Sequence, residues 1–259
     1  MEKNKRFHYL LKISYDGKEY LGWQIQKTGK TVQGELNRVL EKISKGEVHT
    51  IGAGRTDTGV HALAQMVKVS MPLQIETDAL LKALNSLLPL DIRVLECSLS
   101  REDFLPTTHA LSKTYFYLFT NLQELNAFQN KYMANISFEL DFEKMKKACK
   151  LFVGEHDFKD FQVTGSEVKT TVREIFHCEL SGPHHDNLCG IFPSYYKLEI
   201  SGNGFLKQMV RLIVGCLWDI GRNKVSLEEL EKALKTPTGK RLGKVAPAEG
   251  LYKSQVVYP

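Results

Sequence analysis

The order of hydrophobic patterns along the first hundred or so residues constrains the fold of this chain more than any other feature. Alternation of apolar and polar residues predicts strands at 7–15, 48–54, 63–70 and 91–99. Apolar residues at a spacing of three and four predict helices at 31–43, with Thr31 as the N-cap, and at 77–88, where Pro89 ends the helix. The order β-α-β-β-α-β is typical of a split βαβ, or ferredoxin-like, unit.

The second half of the chain repeats this order more loosely. Strand patterns fall at 113–120, 171–180, 195–201 and 254–258, and helical patterns at 141–153, 205–220 and 227–234. We therefore predict an α/β (α+β) fold of two ferredoxin-like halves. Their sheets are expected to join into one mixed, mostly antiparallel sheet with the helices on one face. The predicted halves are residues 1–104 and residues 105–259, because strand character stops around Pro106.

Composition excludes several classes of protein. The 259 residues are 42% hydrophobic and 25% charged, which excludes a disordered or collagen-like chain. Five scattered cysteines without a C-x-x-C pair argue against a zinc knuckle and predict reduced thiols. The most apolar segment, 205–220, is interrupted by charges and is too short to span a bilayer. With no apolar leader at the N-terminus, we expect a cytoplasmic protein without membrane association. The net charge of +5 permits a polyanionic partner without requiring one.

A glycine-rich segment at 52–62 (GAGRTDTGVHA) is the densest candidate for chemistry. Its glycines surround Arg55 and Asp57, and an ionised carboxylate on such a loop can act as a nucleophile or a base. The segment lacks the Gly-Lys-Ser/Thr of a phosphate-binding loop. From the pattern alone, a surface hairpin with an Arg-Asp pair is the better supported interpretation. A metal site is a weaker alternative, because its candidate ligands match no metal-binding spacing; they are Asp57, His61, His156 and Asp157.

Two features of the second half could bind RNA or support the loop. In a strand, Lys113, Tyr115 and Tyr117 share one face, which could stack a base and meet a phosphate. An ordinary half-buried strand has the same pattern. In the apolar helix, Arg211 lies on a stripe with Lys207 and Gly215. If that stripe is buried, Arg211 needs a carboxylate, for which Asp57 is a candidate; a solvent-facing stripe fits the pattern equally well.

An ordered set of short motifs covers almost the whole chain. The motifs are Tyr15-Asp16-Gly17; Tyr20-x-Gly22-Trp23-Gln24-x-Gln26; Val32-Gln33-x-x-Leu36; Gly54-Arg55-Thr56-Asp57-x-Gly59-Val60-His61-Ala62; Leu88-Pro89-x-Asp91-Ile92; Lys113-x-Tyr115-x-Tyr117; Gly154-x-His156-Asp157-Phe158; Gly202-x-Gly204-Phe205-Leu206 with Met209-Val210-Arg211; and Ala246-Pro247-Ala248-x-Gly250-Leu251. Taken in order, these motifs resemble those of the bacterial tRNA pseudouridine synthases of the TruA family. The glycine-rich motif is the very specific one of the set.

This resemblance implies isomerisation of uridine to pseudouridine in the anticodon stem-loop of tRNA, at positions 38 to 40. It implies a homodimer with a basic cleft for tRNA, and no metal or organic cofactor. Carried over, Asp57 is the nucleophile, Arg55 displaces the target base, Tyr115 contacts the uracil as a possible base, and Arg211 forms a salt bridge with Asp57. The substrate-binding residues that it implies are Lys113, Tyr117, Gly204 and Leu251.

The chain departs from the family pattern ahead of the predicted Tyr115 strand. The family usually has Phe-His-Ala-Arg where this chain has Phe104-Leu105-Pro106-Thr107, and His109 stands where Ser is common. A basic residue and a histidine are therefore missing near the expected RNA surface. Two alternatives follow: a non-catalytic RNA-binding or chaperone module on the same scaffold, and a paralogue that modifies a different RNA site.

Overall fold

The computed structural model describes residues 5–121, 129–163, 168–185 and 194–259. It has ten strands of a mixed sheet and five α-helices, which confirms the predicted α/β class. The chain forms two compact units: unit 1 is Met1–Leu111 with Tyr252–Pro259, and unit 2 is Ser112–Leu251. The sequence-based division into α/β halves of residues 1–104 and 105–259 stays a prediction.

The helices and strands follow each other much as the hydrophobic patterns predict. In unit 1 they are β1 (Phe7–Tyr15), α1 (Val32–Ser44), β2 (His49–Gly52), β3 (His61–Met71), α2 (Thr77–Leu87) and β4 (Ile92–Leu99). In unit 2 they are β5 (Ser112–Thr120), β6 (Ala134–Asn135), α3 (Phe142–Leu151), β7 (Gly154–Asp157), β8 (Val172–His184), β9 (Tyr195–Gly202), α4 (Met209–Gly221) and α5 (Leu227–Lys235). The last strand is β10 (Leu251–Val257).

The sheet of unit 1 has the ferredoxin-like strand order. The order is β4-β1-β3-β2, and each neighbouring pair is antiparallel. At the other end of β3, β10 pairs with it in parallel, with Tyr252 opposite His61 and Lys253 opposite Ala62. The segment between β2 and β3 therefore lies beside the start of β10.

The core of unit 1 lies between one face of the sheet and its two helices. Every second residue of β1 is buried there, namely Tyr9, Leu11, Ile13 and Tyr15. They pack against the apolar stripes of α1 and α2, represented by Leu36 and Leu84. Because α1 and α2 both pack on the buried face of β1, they cover the same face of the sheet. Full burial of one such aliphatic side chain contributes about 1.5–3 kcal/mol.

Unit 2 repeats the central part of this arrangement. Its strands follow the order β5-β9-β8-β7 in antiparallel pairs, and β6 pairs with β5 in parallel. The series β5-β9-β8 corresponds to β1-β3-β2 of unit 1, with α3 and α4 in the places of α1 and α2. The additional strand β7 lies along the outer edge of β8 and was not predicted.

The start of α4 differs from the prediction. The helix begins at Met209, not at Phe205, because Gln208 has a left-handed backbone (φ 60°) that ends the preceding loop. Lys207 therefore lies outside the helix, and the predicted stripe is reduced to Arg211 and Gly215. Gly215 is buried, and a Cβ there would lie 1.8 Å from the Lys244 carbonyl oxygen. At Gly215, the stripe packs against the backbone at Lys244 and does not face solvent.

No helix in the described ranges combines the length and the apolar character that a membrane span requires. Cys189, one of the cysteines considered above, lies outside the described residues.

Candidate active site

Residues 53–60 join β2 to β3 and carry Arg55 and Asp57 on either side of a buried residue, Thr56. Thr56 is buried, with 6% of its surface exposed, whereas Arg55 is exposed and Asp57 is half-buried. Within the described ranges, the Arg55 side chain makes no hydrogen bond or ion pair. Its guanidinium is therefore available to a partner outside the chain.

Thr56 fixes this segment to the core of unit 1. Its side-chain oxygen, Oγ1, lies 2.8 Å from the Tyr15 hydroxyl oxygen in a buried hydrogen bond. Its carbonyl oxygen accepts a bond from the backbone N–H of Trp23 at 3.1 Å. Each such bond contributes about 0.5–1.5 kcal/mol. Asp57 follows Thr56 directly. Its carboxyl group is therefore presented from a backbone that is held by both the side chain and the carbonyl of Thr56.

Two glycines allow the backbone of another motif to approach the segment closely. Gly22 has φ +88°, and a Cβ there would lie 2.5 Å from the Thr56 carbonyl oxygen. Gly59 has φ +78°, and its N–H donates to the Tyr20 carbonyl at 3.3 Å. Only glycine adopts this backbone without strain at a position this crowded. The Tyr20-x-Gly22-Trp23 motif is therefore a support for the segment that carries Asp57.

Trp23 completes this support from within the core. It is 2% exposed, and its ring stacks on Tyr15 with 6.4 Å between the ring centroids. A Cβ on Gly52, the last residue of β2, would lie 2.7 Å from the Trp23 ring. The indole therefore packs against the strand that leads into the segment.

One of the residues that depart from the family pattern, Thr107, contacts the end of β2, where the segment begins. Thr107 Oγ1 donates to the Gly52 carbonyl at 3.1 Å. His109 packs against Phe104 with 5.4 Å between the ring centroids, and Leu105 is 43% exposed. The chain thus places the small hydroxyl of Thr107 at the start of the Asp57 segment.

His61 follows the segment as the first residue of β3. It is 2% exposed, stacks on Tyr252 at 4.7 Å, and accepts a bond at Nδ1 from the Gly17 N–H at 3.2 Å. Within the part of the chain that is described, no three His, Cys, Asp or Glu side chains come close enough to hold a metal ion. The alternative metal site that included His61 therefore has no such cluster among the described residues.

In unit 2, the first predicted site residues lie on one face of β5. Lys113, Tyr115 and Tyr117 are 9%, 8% and 0% exposed, while Thr114 and Phe116 between them are less buried. The prediction that the three side chains share a face is confirmed by this alternation.

Tyr117 is buried in the core of unit 2. Its hydroxyl donates to the Pro247 carbonyl oxygen at 2.8 Å, and its ring meets Trp218 edge-on at 5.8 Å. Burial, followed by the nearby charge of Glu249, raises the pKa of the Tyr117 hydroxyl. These contacts give Tyr117 a packing role in unit 2. The substrate contact that the resemblance implies for it stays a prediction.

Tyr115 meets the glycine motif that precedes α4. Its ring lies edge-on to Phe205, with 5.1 Å between the centroids. Edge-to-face pairs of this kind favour one relative orientation of the rings. The motif Gly202-x-Gly204-Phe205 therefore orients the tyrosine for which a uracil contact is predicted.

Lys113 lies near a cation that the sequence did not indicate, Arg173 of β8. Burial lowers the pKa of the Lys113 ammonium, and the charge of Arg173 lowers it further. The Arg173 Nη1 donates to the carbonyls of Thr170 and Val172 at 2.9 and 2.6 Å, and a Cβ on Gly204 would lie 3.6 Å from its Nε. Arg173 has no carboxylate partner among the described residues. The sequence missed it because its proximity to Lys113 depends on the pairing of β5, β9 and β8.

Arg211 lies in the first turn of α4 and is tied to the last of the motifs. Its Nε donates to the Ala246 carbonyl at 2.6 Å, and the Ala246 N–H donates to the Arg211 carbonyl at 3.1 Å. Leu251 is buried, and its N–H donates to the Ala248 carbonyl at 2.9 Å. A Cβ on Gly250 would lie 2.6 Å from the Leu118 carbonyl oxygen. Residues 246–251 are thus held against α4 and β5. The salt bridge between Arg211 and Asp57 stays a prediction.

Comparison with known proteins decides the family. A family model described as tRNA pseudouridine synthase matches residues 12–99 and 148–259. The chain belongs to this family. Asp57 and Arg211 lie within the matched ranges, and Tyr115 lies between them.

Curated relatives of this tRNA pseudouridine synthase match over nearly the full length. The chain is 38% identical over 249 residues to tRNA pseudouridine synthase A of Caldicellulosiruptor bescii, covering 96% of this chain and 98% of the relative. It is 40% identical over 246 residues to tRNA pseudouridine synthase A of Acetivibrio thermocellus, with 95% and 97% covered. It is 38% identical over 250 residues to tRNA pseudouridine synthase A 2 of Clostridium perfringens, with 96% and 98% covered. The predicted enzyme class, an isomerase, is confirmed, and these matches give no support to a non-catalytic module.

Proposed function

We propose that this enzyme converts uridine to pseudouridine in the anticodon stem-loop of tRNA, at positions 38 to 40, with Asp57 as the nucleophile. The observation that carries the proposal is the Asp57 segment of this family member. Its backbone is fixed at the buried Thr56, while Arg55 is exposed and Asp57 is half-buried. A nucleophile needs a fixed backbone, and base displacement needs an accessible cation beside it. The proposal uses only side chains of the protein, without a metal or an organic cofactor.

Access to the uridine is the first requirement of the reaction. A stacked, paired uridine hides C1′ and C6, and turning it out of the helix costs a few kcal/mol. In our proposal, the Arg55 side chain fills the position that the base leaves and offsets part of this cost. Its exposure and its lack of a partner in the described ranges support this role.

The chemical step begins with attack by the Asp57 carboxylate on C1′ of the ribose or on C6 of the uracil. In the C1′ route, an ester bond to Asp57 forms and the N1–C1′ bond breaks. The uracil then turns, C5 bonds to C1′, and the ester bond breaks. In the C6 route, Asp57 adds to C6 and the C5=C6 double bond opens; the N1–C1′ bond breaks, C5 bonds to C1′, and the bond from C6 to Asp57 breaks as the double bond re-forms. In both routes C5 loses its proton and N1 gains one, so the atoms of substrate and product balance.

The other proposed roles follow from charge and position. Tyr115, oriented by Phe205, lies against the uracil and is the candidate base for the C5 proton. In our proposal Arg211 pairs with Asp57. A cation beside a partly buried carboxylate favours its ionised form, which is the form that attacks. Lys113, Gly204 and Leu251 contribute to substrate binding, and Tyr117 supports them through its bond to Pro247.

The experiment is the release of tritium from a tRNA transcript labelled at C5 of uridine. The wild type should release tritium and form pseudouridine at positions 38 to 40, and Asp57→Asn should release none. Exposed Thr58, next in sequence, offers a matched control, because Thr58→Val should retain turnover. A wild-type protein without tritium release would refute the proposal. Release from a different uridine would refute the proposed position and leave the activity standing.

Assembly and location belong to the same proposal. We propose a homodimer, on the resemblance stated above, and a place in the cytoplasm, where a tRNA substrate is found. Light scattering coupled to gel filtration should give twice the chain mass of 29.5 kDa. A mass of one chain in the presence of full activity would refute the dimer.

A further inference from the structure

Lys253 is a buried cation in unit 1 that the proposed reaction does not use. It lies in β10, and none of its surface is exposed. Removing an ammonium group from water is costly, and an apolar side chain of similar volume usually serves stability as well or better. Lys253 therefore calls for a functional explanation.

The ammonium group lies directly beneath the segment that carries Asp57. Its Nζ donates to Oε1 of Gln65, a residue of β3 that is also fully buried. The amide Nε2 of Gln65 donates to the Gly54 carbonyl oxygen at 2.6 Å. A Cβ on Gly54 would lie 3.4 Å from the Lys253 Nζ. One amide group thus connects the buried cation to the residue before Arg55.

This connection has a fixed direction. Lys253 can only donate, so Gln65 must present its oxygen to Lys253 and its NH₂ group to the Gly54 carbonyl. A hydrogen bond from a cation polarises the amide and strengthens its bond to the carbonyl. The position of the Gly54 peptide therefore depends on the charge of Lys253.

We infer that Lys253 is a positioning residue for the nucleophile, acting through Gln65 and Gly54. It holds the backbone that leads into Arg55 and Asp57, and it places a positive charge below that backbone, which favours an ionised carboxylate. The inference rests on the proposed function, since it needs Asp57 to be the attacking group. It adds a residue of β10, a strand outside the glycine-rich motif, to the machinery of the reaction.

A second buried lysine of the same unit provides a matched control. Lys68 of β3 is 6% exposed, and its Nζ donates to the carbonyl of Glu102, which lies outside the segment that carries Asp57. Lys68→Met and Lys253→Met make the same chemical change at similar burial. A general effect of removing a buried lysine would appear in both variants.

The test measures turnover, KM for tRNA and thermal unfolding of full-length protein. Lys253→Met should lower kcat at least about tenfold, since small displacements of a reacting group are costly in rate. Its KM should stay within about twofold of the wild type, because no RNA contact is lost. Its Tm should match that of Lys68→Met, and Lys68→Met should keep wild-type kcat.

A second variant keeps the inference falsifiable if Lys253→Met fails to fold. Gln65→Glu preserves the volume and pairs with Lys253, but its carboxylate cannot donate to the Gly54 carbonyl and it neutralises the cation. Its kcat should fall as in Lys253→Met. Wild-type kcat in whichever variant folds, an equal loss of kcat in Lys68→Met, or a loss confined to KM would overturn the inference. Failure of the wild type itself to form pseudouridine would instead refute the proposed function.

Discussion

Single side chains with one defined partner determine how the Asp57 segment is held. Thr56→Val removes the buried bond to the Tyr15 hydroxyl while keeping the side-chain volume. We expect the free energy of unfolding to fall by about 0.5–1.5 kcal/mol and turnover to fall with it, because the segment gains freedom. Urea unfolding and tritium release would measure both. Thr58→Val, two residues along on an exposed side chain, should change neither; equal effects of the two variants would contradict the expectation.

The lowered pKa of His8 should make the stability of the fold depend on pH. Burial lowers the pKa of His8 below its ordinary 6.5, and the charge of Lys68 acts in the same direction. The unfolded chain therefore binds this proton more tightly than the folded protein. The contribution of His8 to the free energy of unfolding keeps its full value above pH 6.5. It falls as the pH drops from 6.5 towards the pKa of His8 in the folded protein.

Urea titrations at a series of pH values would measure this effect of His8. His8→Gln should remove part of the loss of stability on acidification, because glutamine takes up no proton. If the wild type and His8→Gln show the same slope of stability against pH below 6.5, the histidine makes no contribution.

At the scale of secondary-structure elements, the turn between β1 and α1 matters because it packs on the segment between β2 and β3. Gly22→Ala would bring a Cβ to 2.5 Å from the Thr56 carbonyl at φ +88°. We expect a loss of stability of at least about 1 kcal/mol and a loss of turnover, because the backbone near Asp57 must shift.

Gly29 of the same turn offers the control for Gly22→Ala. It has φ +87°, but a Cβ there would meet only the end of the Leu21 side chain, which can move. Gly29→Ala should therefore lose stability and retain kcat. Normal turnover in Gly22→Ala, or an equal loss in both variants, would show that close approach to Thr56 is unimportant.

Elements with strong periodicity could be predicted from the sequence, and elements set by tertiary contacts could not. The pattern of β1 predicted its bounds, 7–15, and Thr31 was predicted as the N-cap of α1, where its side chain accepts a bond from the Gly34 N–H. The left-handed backbone at Gln208 has no signal in the sequence, because glycine or asparagine usually takes this conformation. The start of α4 was therefore predicted too early.

The candidate site was predicted in its chemistry and only partly in its geometry. The resemblance implied Asp57 and its neighbours, whereas the burial of Tyr117 and Lys253 depends on packing that no local pattern records. Charged residues usually lie at the surface, and no local pattern indicated that Lys253 is buried. Arg173 was missed for the related reason that three strands must pair before it approaches Lys113.

For the molecule as a whole, the excess of positive charge predicts binding of tRNA that depends on salt. Each phosphate that a cation neutralises lowers the slope of log affinity against log salt by about 0.9 for duplex nucleic acid, because counterions are released. With a net charge of +5 over 259 residues, a few well-placed cations can provide much of this dependence. Arg173 is such a cation, since it lies beside buried Lys113 and has no carboxylate partner in the described ranges.

We therefore expect Arg173→Ala to weaken tRNA binding and to reduce the salt slope by about one. Equilibrium binding of labelled tRNA over a series of salt concentrations would measure the slope. The control is Arg101→Ala: the Arg101 side chain is 77% exposed, and its Nε lies 3.3 Å from Oδ1 of Asp103, so that its charge is already balanced. Arg101→Ala should leave the slope unchanged. A wild-type slope in Arg173→Ala, or equal reductions in both variants, would mean that Arg173 contacts no phosphate and that the tRNA is held by cations elsewhere in the chain.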